Sequence, residues 1–451
     1  MQTHEKPVYR LIDSKSTFPL RRDGGIVFER VSVAILEENT RMMARNSRKQ
    51  PLASIHRQRT LRVLGTDISL LEAVRQKAIR DLGFNIEFEV LDFPNCQRKA
   101  ALNPEAYDVY DQCFHNLAIV WFWGALQPID TTWLSNWTKV SALTKSGGVG
   151  KYASRGFGDA PMHKLYVQPD HSLGPEETRY IAMLPTVHNF DSFGYDTRVF
   201  NRDGNERESW AMLFDPRAHG KLAFVDEPAI GLFDAALAAE AMGALRFENI
   251  GNMTPAEIGA LFKFLKDKRK EGFVHRCWRT GEQAAKLFRD DDVVIQSMWS
   301  PAYNELGSAA AVVKEAVPAE GYRAWHGGLS IARHVSGPML QMACEYMDWW
   351  LSGWAGAVMA RRGYYMSVPS AVEEHLSAAE WSYWYDGQEA SQDLLAADGE
   401  TIIVRRGARR SGGSYLERAR RIALWNTVMD EHNYAARAWT RFVSSVNGKP
   451  R

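Results

Sequence analysis

The chain of 451 residues is poor in cysteine and carries almost no net charge. Its four cysteines include no pair spaced as CxxC, so neither a cysteine-rich zinc site nor a disulfide framework is expected. Lysine and arginine number 55 against 54 aspartate and glutamate, for a net charge of +1. That balance gives no bulk attraction to nucleic acid. We therefore expect no metal, no cofactor and no nucleic-acid partner. The cysteines are Cys96, Cys113, Cys277 and Cys344.

Long hydrophobic runs are also missing. No stretch of about 18 apolar residues occurs, which argues against a membrane span. Residues 1–60 contain no apolar leader segment, so no signal peptide is visible, and a cytoplasmic location follows if the start is correct. We predict that 1–60 is a basic, poorly ordered arm; a targeting or anion-binding arm and a misassigned start are the alternatives. Its basic cluster, without an acidic residue, is Arg41, Arg45, Arg48, Lys49, Arg57, Arg59 and Arg62.

Alternating strand and helix signals begin at Leu61. "LRVLGTD" is typical of a short buried strand, and "NIEFEVLDF" and "AYDVYDQCF" predict two more. Between the first two, "SLLEAVRQKAIRDLGF" has apolar residues at helical spacing, with Ser69 as the expected N-cap and Gly83 as the stop. This order predicts a parallel sheet with helices on its faces.

Strand and helix signals continue through the remainder of the sequence. The length of the whole chain favours two domains. "IVWFWGALQPID" predicts a buried helix, and 144–182 an irregular insertion that could lie at a cleft rim. Thr254 and Pro255 are typical of a helix start. A long apolar helix pair follows Gly337, and the tail from Ser414 predicts one amphipathic helical region.

Polar and aromatic residues recur where predicted strands end, as expected for a ligand cleft between two lobes. Two glycines follow the last such pair, and we expect them to give a ligand room to approach the backbone. The residues are Thr66, Asp67, Cys113, His115, Asn116, His188, Asn189, Asp191, Asp226, Glu227, Trp299, Ser300, Trp325 and His326, and the glycines are Gly327 and Gly328.

Several segments, in this order, resemble bacterial ABC-transporter solute-binding proteins of the spermidine/putrescine-binding type. They are "YDVYD", "MLPTVHNFDSFGYDTRVF", "SWAMLFDPRAHGKLAFVDEPAIGLFDAALA", "VVIQSMWSPAYNEL", "VPAEGYRAWHGGLSIA" and "YMDWWLSGWAGAVMARRGYY". The resemblance implies a non-catalytic receptor with the α/β, two-lobed class II periplasmic-binding-protein fold. Each lobe is a mostly parallel sheet flanked by helices, and the lobes close about a hinge.

The resemblance also implies a domain order, a location and partners. We expect lobe 1 at 61–187, lobe 2 at 188–305, a return to lobe 1 at 306–345, and a C-terminal helical region at 346–451. A small-molecule solute and the membrane permease of an ABC importer are the implied partners. The implied protein is a periplasmic monomer.

For the ligand site, the resemblance places Trp325 along the ligand's methylene groups and Trp299 at a second aromatic wall. Cys113 and His115 occupy a strand end where the family often has Ser and Tyr. Two family carboxylates are missing, since Gly327 and a position near Ile230 stand in their place. An enclosed ammonium without a partner is costly, so we expect a small polar organic ligand other than a simple polyamine.

Other candidates for the site remain open. Asp67, Asp191, Asp226 and Glu227 are candidates for replacement charge, and His115, His188 and His326 suit an anionic or polar ligand. Trp325 and the histidines could instead be structural. Tyr364 and Tyr365 are expected after the helix pair rather than between the lobes.

Two other functions fit the same residues. Cys113 and His115, two residues apart on a strand, share a face and could act as nucleophile and base of an enzyme. A cytoplasmic ligand sensor on the same body is the second alternative.

Overall fold

The computed structural model describes residues 17–22, 25–30, 59–149, 152–153, 156–201 and 207–448. Most of the predicted basic arm therefore lies outside the described residues. Within it, Thr17–Arg22 and Gly25–Arg30 pair as antiparallel strands. Arg62, counted with the basic cluster, lies on the first strand of the body and forms a salt bridge with the buried Asp108.

The first lobe is built on a mixed sheet that centres on the long strand Tyr322–Ala332. Every residue of that strand is buried, because strands lie along both of its edges. One edge carries Val109–Cys113, beside which Thr60–Gly65 and Asn85–Val90 continue in parallel. The other edge pairs antiparallel with Leu184–Asp191. The remaining strands of this first sheet are Leu126–Gln127, Phe157–Gly158, Tyr365–Met366 and Ile422–Trp425.

The second lobe has its own sheet and its own apolar core. Parallel strands form its centre, where Leu222–Val225 lies between Val274–Trp278 and Ile295–Ser297. Antiparallel strands complete it, in the order Ile295–Ser297, Phe193–Asp196, Val313–Glu315. The two sheets and their separate cores agree with the predicted two-lobed α/β architecture.

In the part of the chain that the structure describes, three segments cross between the lobes. The first crossing is at Ser192, between Leu184–Asp191 of the first sheet and Phe193–Asp196 of the second. The second lies between Val313–Glu315 and Tyr322–Ala332. Both crossings fall later in the chain than the expected boundaries at 188 and 306. The third follows Ile422–Trp425, since the next helix packs on the second lobe.

Helices cover both sheets. The α-helices are Glu72–Leu82, Phe93–Leu102, Leu117–Phe122, Ala142–Ser146, Pro161–Lys164, Gly231–Ala241, Pro255–Lys270, Gly281–Arg289, Ser300–Asn304, Gly337–Trp350, Trp354–Arg361, Pro369–Glu373, Ala378–Trp384, Tyr415–Ala419 and His432–Val446. The 3₁₀ helices are Pro104–Ala106, Phe114–Asn116, Thr131–Trp133, Trp137–Lys139, Trp210–Phe214, Pro216–Ala218 and Gly307–Ala311. No helix among the described residues has the length and hydropathy needed to traverse a bilayer.

Besides the pair Thr17–Arg22 with Gly25–Arg30, short strands of the described residues form three smaller sheets. One has four strands: Leu173–Gly174, Tyr166–Val167, Tyr180–Ile181 and Ile129–Asp130. The others are the pairs Gly148–Val149 with Tyr152–Ala153 and Leu394–Leu395 with Ile402–Val404. The predicted insertion 144–182 supplies most of these strands.

Local expectations had mixed outcomes. Thr254 caps its helix through a reciprocal capping box with Glu257, as predicted. Ser69 does not cap; its hydroxyl donates to Asp111, and the N-cap is Leu71. The predicted buried helix after Asn116 is short, and Phe122 at its end is 86% exposed.

Candidate functional site

A cavity of about 370 Å³ lies between the two sheets, and we call it the cleft cavity. Both lobes line it, which is the arrangement expected of a ligand cleft. From the first lobe come Asp67, Ile68, Val90, Leu91, Asp92, Phe93, Cys113, His115, Trp325, Arg362 and Tyr364; from the second come Ile230, Arg279, Thr280, Gly281, Trp299, Pro301 and Glu305; Asp191 and Asn426 come from the crossings.

The buried part of the cleft cavity is organised around Asp191. Its Oδ2 accepts a hydrogen bond from Trp325 Nε1 at 2.7 Å, and its Oδ1 accepts from Asn189 Nδ2 at 2.8 Å. Asn189 also donates to Ser300 Oγ at 2.7 Å, which ties the first crossing to the second lobe. Residues two apart on a strand share a face, so Asn189 positions the carboxylate of Asp191 from the same side of Leu184–Asp191.

Burial raises the pKa of Asp191 from its ordinary value of 3.8 to about 6, although the Arg323 guanidinium and the Trp325 donor act to lower it. The carboxyl group is therefore mostly ionised at neutral pH and has accessible surface of only 2%. A buried, ionised carboxylate that faces a cavity attracts a hydrogen-bond donor or a cation.

Two aromatic walls frame this carboxylate. Trp325 packs edge-to-face against Tyr364, with ring centroids 5.3 Å apart. From the other lobe, Trp299 packs edge-to-face against Trp278 at 4.8 Å. Tyr364 lines the cleft cavity, so its expected position away from the lobe interface is wrong; Tyr365 does not line it.

The second-lobe rim carries an arginine. Arg279 follows the strand Val274–Trp278, and its Nε donates to Asp226 Oδ2 at 2.7 Å. Thr280 caps the helix Gly281–Arg289 by accepting from Gln283 N. Asp226 thus acts through Arg279 and does not itself line the cavity.

Cys113 and His115 line the cleft cavity, yet neither is activated for catalysis. Burial raises the pKa of the Cys113 thiol well above its ordinary value, which keeps the sulfur protonated and weakly nucleophilic. Burial likewise lowers the pKa of His115 to about 3, so its imidazole is neutral. Both offer neutral polar edges to a ligand.

Besides Asp226, seven of the predicted cleft residues do not line the cleft cavity: Thr66, Asn116, His188, Asn189, Glu227, Ser300 and His326. His188 and His326 stack on each other, with ring centroids 4.8 Å apart, on the opposite side of the sheet from Trp325. There His188 contacts the Tyr415 hydroxyl and His326 the Thr144 hydroxyl. Asn189 donates to Asp191 from the same face of the strand without lining the cavity, and the Glu227 carboxylate accepts from Ala229 N.

Of the two glycines, Gly328 serves strand packing rather than ligand approach. A Cβ on Gly328 would lie 2.5 Å from the Leu184 carbonyl oxygen and 2.6 Å from the Met183 side chain. A Cβ on Gly327 would lie 3.4 Å from the Val187 carbonyl oxygen, an ordinary contact, and this glycine does not line the cleft cavity. The expectation that the glycine admits a ligand is therefore wrong for Gly328.

Several lining residues escaped the sequence analysis. Arg279 and Glu305 follow the strand Val274–Trp278 and the helix Ser300–Asn304, two elements that the sequence analysis did not predict. Arg362 and Asn426 come from the end of a helix and from just beyond a further strand that was not predicted. Among the described residues, no group of three or more His, Cys, Asp or Glu side chains is placed to hold a metal ion.

Comparison with known proteins identifies the class. No curated protein matches the chain. Solved structures of the same fold include the spermidine/putrescine ABC transporter substrate-binding protein PotD of Streptococcus pneumoniae (TM-score 0.55, 11% identity, 85% of this chain and 98% of that one). A PotD lipoprotein of Treponema pallidum has a TM-score of 0.58 at 10% identity, over 86% and 99% of the two chains.

A third similar structure is a binding protein of A. tumefaciens R10 in complex with agropinic acid (TM-score 0.53, 13% identity, 86% and 99%). These likenesses confirm the predicted fold. The family model of the bacterial extracellular solute-binding proteins matches residues 166–400, just over half of the chain. Its members are binding proteins rather than enzymes, and this chain belongs to the bacterial extracellular solute-binding protein family.

Proposed function

We propose that this protein is the extracytoplasmic solute receptor of an ABC importer. Its two lobes close on a small polar organic solute in the cleft cavity, and the closed form is presented to the membrane permease. The observation that carries the proposal is the origin of the lining: Trp325 and Trp299 come from opposite lobes, and Asp191 from the crossing between them. A solute that contacts all three stabilises closure.

The lining argues against a simple polyamine. Of the four lining carboxylates, only Asp191 is buried, whereas Asp67, Asp92 and Glu305 are exposed at the rim. A diamine needs a partner for each ammonium group. Ile230 offers none, and the guanidinium groups of Arg279 and Arg362 repel a cation. The A. tumefaciens neighbour holds agropinic acid, which supports the view that this fold takes solutes other than polyamines.

A thermal-shift screen of the purified protein tests the proposal. The panel contains amino acids, organic acids, opines, sugars and polyamines. A solute at 100 times its Kd should stabilise the protein by about 2.7 kcal/mol. The variant Trp325→Ala should lose the shift, whereas Trp354→Ala, which alters a partly exposed indole outside the cavity, should keep it.

Two results would count against the receptor. A screen in which no solute raises the melting temperature would remove the evidence for a ligand. Catalytic turnover that Cys113→Ala abolishes without loss of binding would favour the enzyme alternative. Stabilisation by putrescine or spermidine alone would keep the receptor but overturn the exclusion of polyamines.

A further inference from the structure

We propose that the cleft cavity contains an anion subsite formed by Arg362 and Arg279, and that the solute is an organic carboxylate. The inference rests on the proposed receptor function and names its ligand class. It starts from Arg362, whose buried Nε has no hydrogen-bond partner among the described residues.

Arg362 follows the helix Trp354–Arg361 and lines the cleft cavity. Its Nε is buried and, within the part of the chain that the structure describes, donates no hydrogen bond. No ion pair within 4.0 Å joins its guanidinium group to a carboxylate of the described residues, and the cavity-lining Glu305 attracts it only from a longer distance. The preceding residue shows the contrast, since Arg361 forms a two-oxygen ion pair with Glu380.

An unpaired buried donor on a guanidinium group is costly. Such a cost is typical of binding sites, where the missing acceptor is supplied by a ligand. The guanidinium group is permanently charged and presents its N–H donors in a planar fork that matches a carboxylate. A carboxylate therefore matches both the charge and the geometry of the donors that Arg362 presents.

Arg279 provides the second half of the subsite. Among the described contacts, Asp226 engages only its Nε, so the two Nη groups have donors to spare. The Asp226 contact also fixes the direction of the side chain, which is otherwise exposed. Gly281, which opens the nine-residue helix Gly281–Arg289, lines the cavity beside it, and the N-terminal end of a helix favours negative charge.

The two arginines belong to different lobes, and this links the anion to closure. A carboxylate between Arg279 and Arg362 is attracted to both, and so favours the arrangement in which both lobes contact it. The buried Asp191 then receives the donor or cationic end of the same solute, so the cavity discriminates the two ends of an amino-acid-like molecule.

Paired probes test the carboxylate. Each acid is compared with an analogue of similar size that lacks the negative charge: 4-aminobutyrate with 4-aminobutyramide and putrescine, and succinate with succinamide. The probes are read by melting temperature and by titration calorimetry, against wild type, Arg362→Gln, Arg362→Lys and the control Arg437→Gln. Arg437 is exposed on the helix His432–Val446, outside the cavity.

We expect stabilisation by a carboxylate and not by its uncharged analogue. Loss of charge-assisted hydrogen bonds should make Arg362→Gln bind about 10- to 100-fold more weakly, with Arg362→Lys intermediate and Arg437→Gln unchanged. The solute-free melting temperature of Arg362→Gln should equal or exceed that of wild type, because an unpaired donor is removed. A purely structural arginine would instead give a lower value.

The outcomes separate the two proposals. Stabilisation by an uncharged analogue, a sugar or a polyamine, with Arg362→Gln as tight as wild type, overturns the anion subsite and keeps the receptor. A panel without any stabilising member, these controls included, counts against both. A binding defect in Arg362→Gln that is matched by a lower solute-free melting temperature also overturns the subsite.

Discussion

The indole N–H of Trp325 has a second role besides the aromatic wall that the family resemblance implies, since it holds the Asp191 carboxylate in place. Trp325→Phe keeps a ring against Tyr364 and removes only this donor. A hydrogen bond to a charged group contributes about 1.5–3 kcal/mol. We therefore expect the Kd for the identified solute to rise about tenfold or more by titration calorimetry. Trp354→Phe is the matched control, and equal affinities for the two variants would contradict this role.

The raised pKa of Asp191 predicts a pH dependence of stability. A carboxyl group whose folded-state pKa lies above its unfolded value stabilises the protein below the unfolded pKa, and this contribution is lost as pH rises through the folded pKa. For Asp191 the window runs from its ordinary 3.8 to about 6. As pH rises from 4 to 7, the free energy of unfolding should therefore fall less in Asp191→Asn than in wild type. The difference between the two falls should be at most about 3 kcal/mol.

Denaturant unfolding at a series of pH values measures this difference. Asp111→Asn is a useful comparison, because burial raises the pKa of Asp111 to about 7 and that residue does not line the cleft cavity. Asp111→Asn should also reduce the change in the free energy of unfolding with pH, but it should retain solute binding. The same loss of stability with pH in Asp191→Asn and wild type would show that the Asp191 pKa is not raised.

At the scale of elements, strand alternation decides which predicted residues reach the cavity. Trp325 and His326 are adjacent on Tyr322–Ala332, and adjacent residues of a strand face opposite sides. Because Trp325 faces the cavity, His326 faces away. The sequence analysis placed both residues at the end of a predicted strand rather than within it, so it did not apply this alternation. The same reasoning separates Asp191 from His188 on Leu184–Asp191.

This alternation predicts opposite phenotypes for neighbouring substitutions. His326→Ala removes contacts with His188 and Thr144 and should lower the free energy of unfolding by about 2–4 kcal/mol. The Kd for the solute should stay within about twofold of wild type, whereas Trp325→Ala should weaken it strongly. Calorimetry and denaturant unfolding on both variants measure the pair. A large affinity loss in His326→Ala would place the imidazole in the site after all.

The elements that the sequence predicted well have strong local signals. The capped helix Pro255–Lys270 and the strand Thr60–Gly65 carry their own periodicity and caps. The strand Ile422–Trp425 was missed because four apolar residues among helix-forming neighbours fit either structure. Its partner Tyr322–Ala332 lies about a hundred residues earlier, and only that pairing decides the outcome. Asn426, which follows this strand, was missed for the same reason.

At the scale of the whole molecule, two buried arginines form contacts at the segments where the chain crosses between the lobes. Arg323, on the long strand of the first sheet, donates to Asp234 Oδ1 of the second lobe at 2.6 Å and to Asn426 Oδ1 at 3.0 Å. Arg418 donates to the Phe190 carbonyl at the first crossing and to Glu315 at the second. No local sequence pattern predicts these contacts, since each joins segments that are far apart in the chain.

The Arg323–Asp234 pair leads to a prediction about the hinge. The Arg323 and Asp234 side chains are at most 1% exposed, so removing one partner leaves a buried charge unpaired. Asp234→Ala should therefore lower the free energy of unfolding by about 3–5 kcal/mol, whereas the double variant Arg323→Met, Asp234→Leu should recover most of the loss. Denaturant unfolding measures both. Because closure needs defined crossings, small-angle scattering should show solute-induced compaction in wild type and in the double variant. If the double variant compacts but does not recover the free energy of unfolding, the pair stabilises the fold through packing rather than charge.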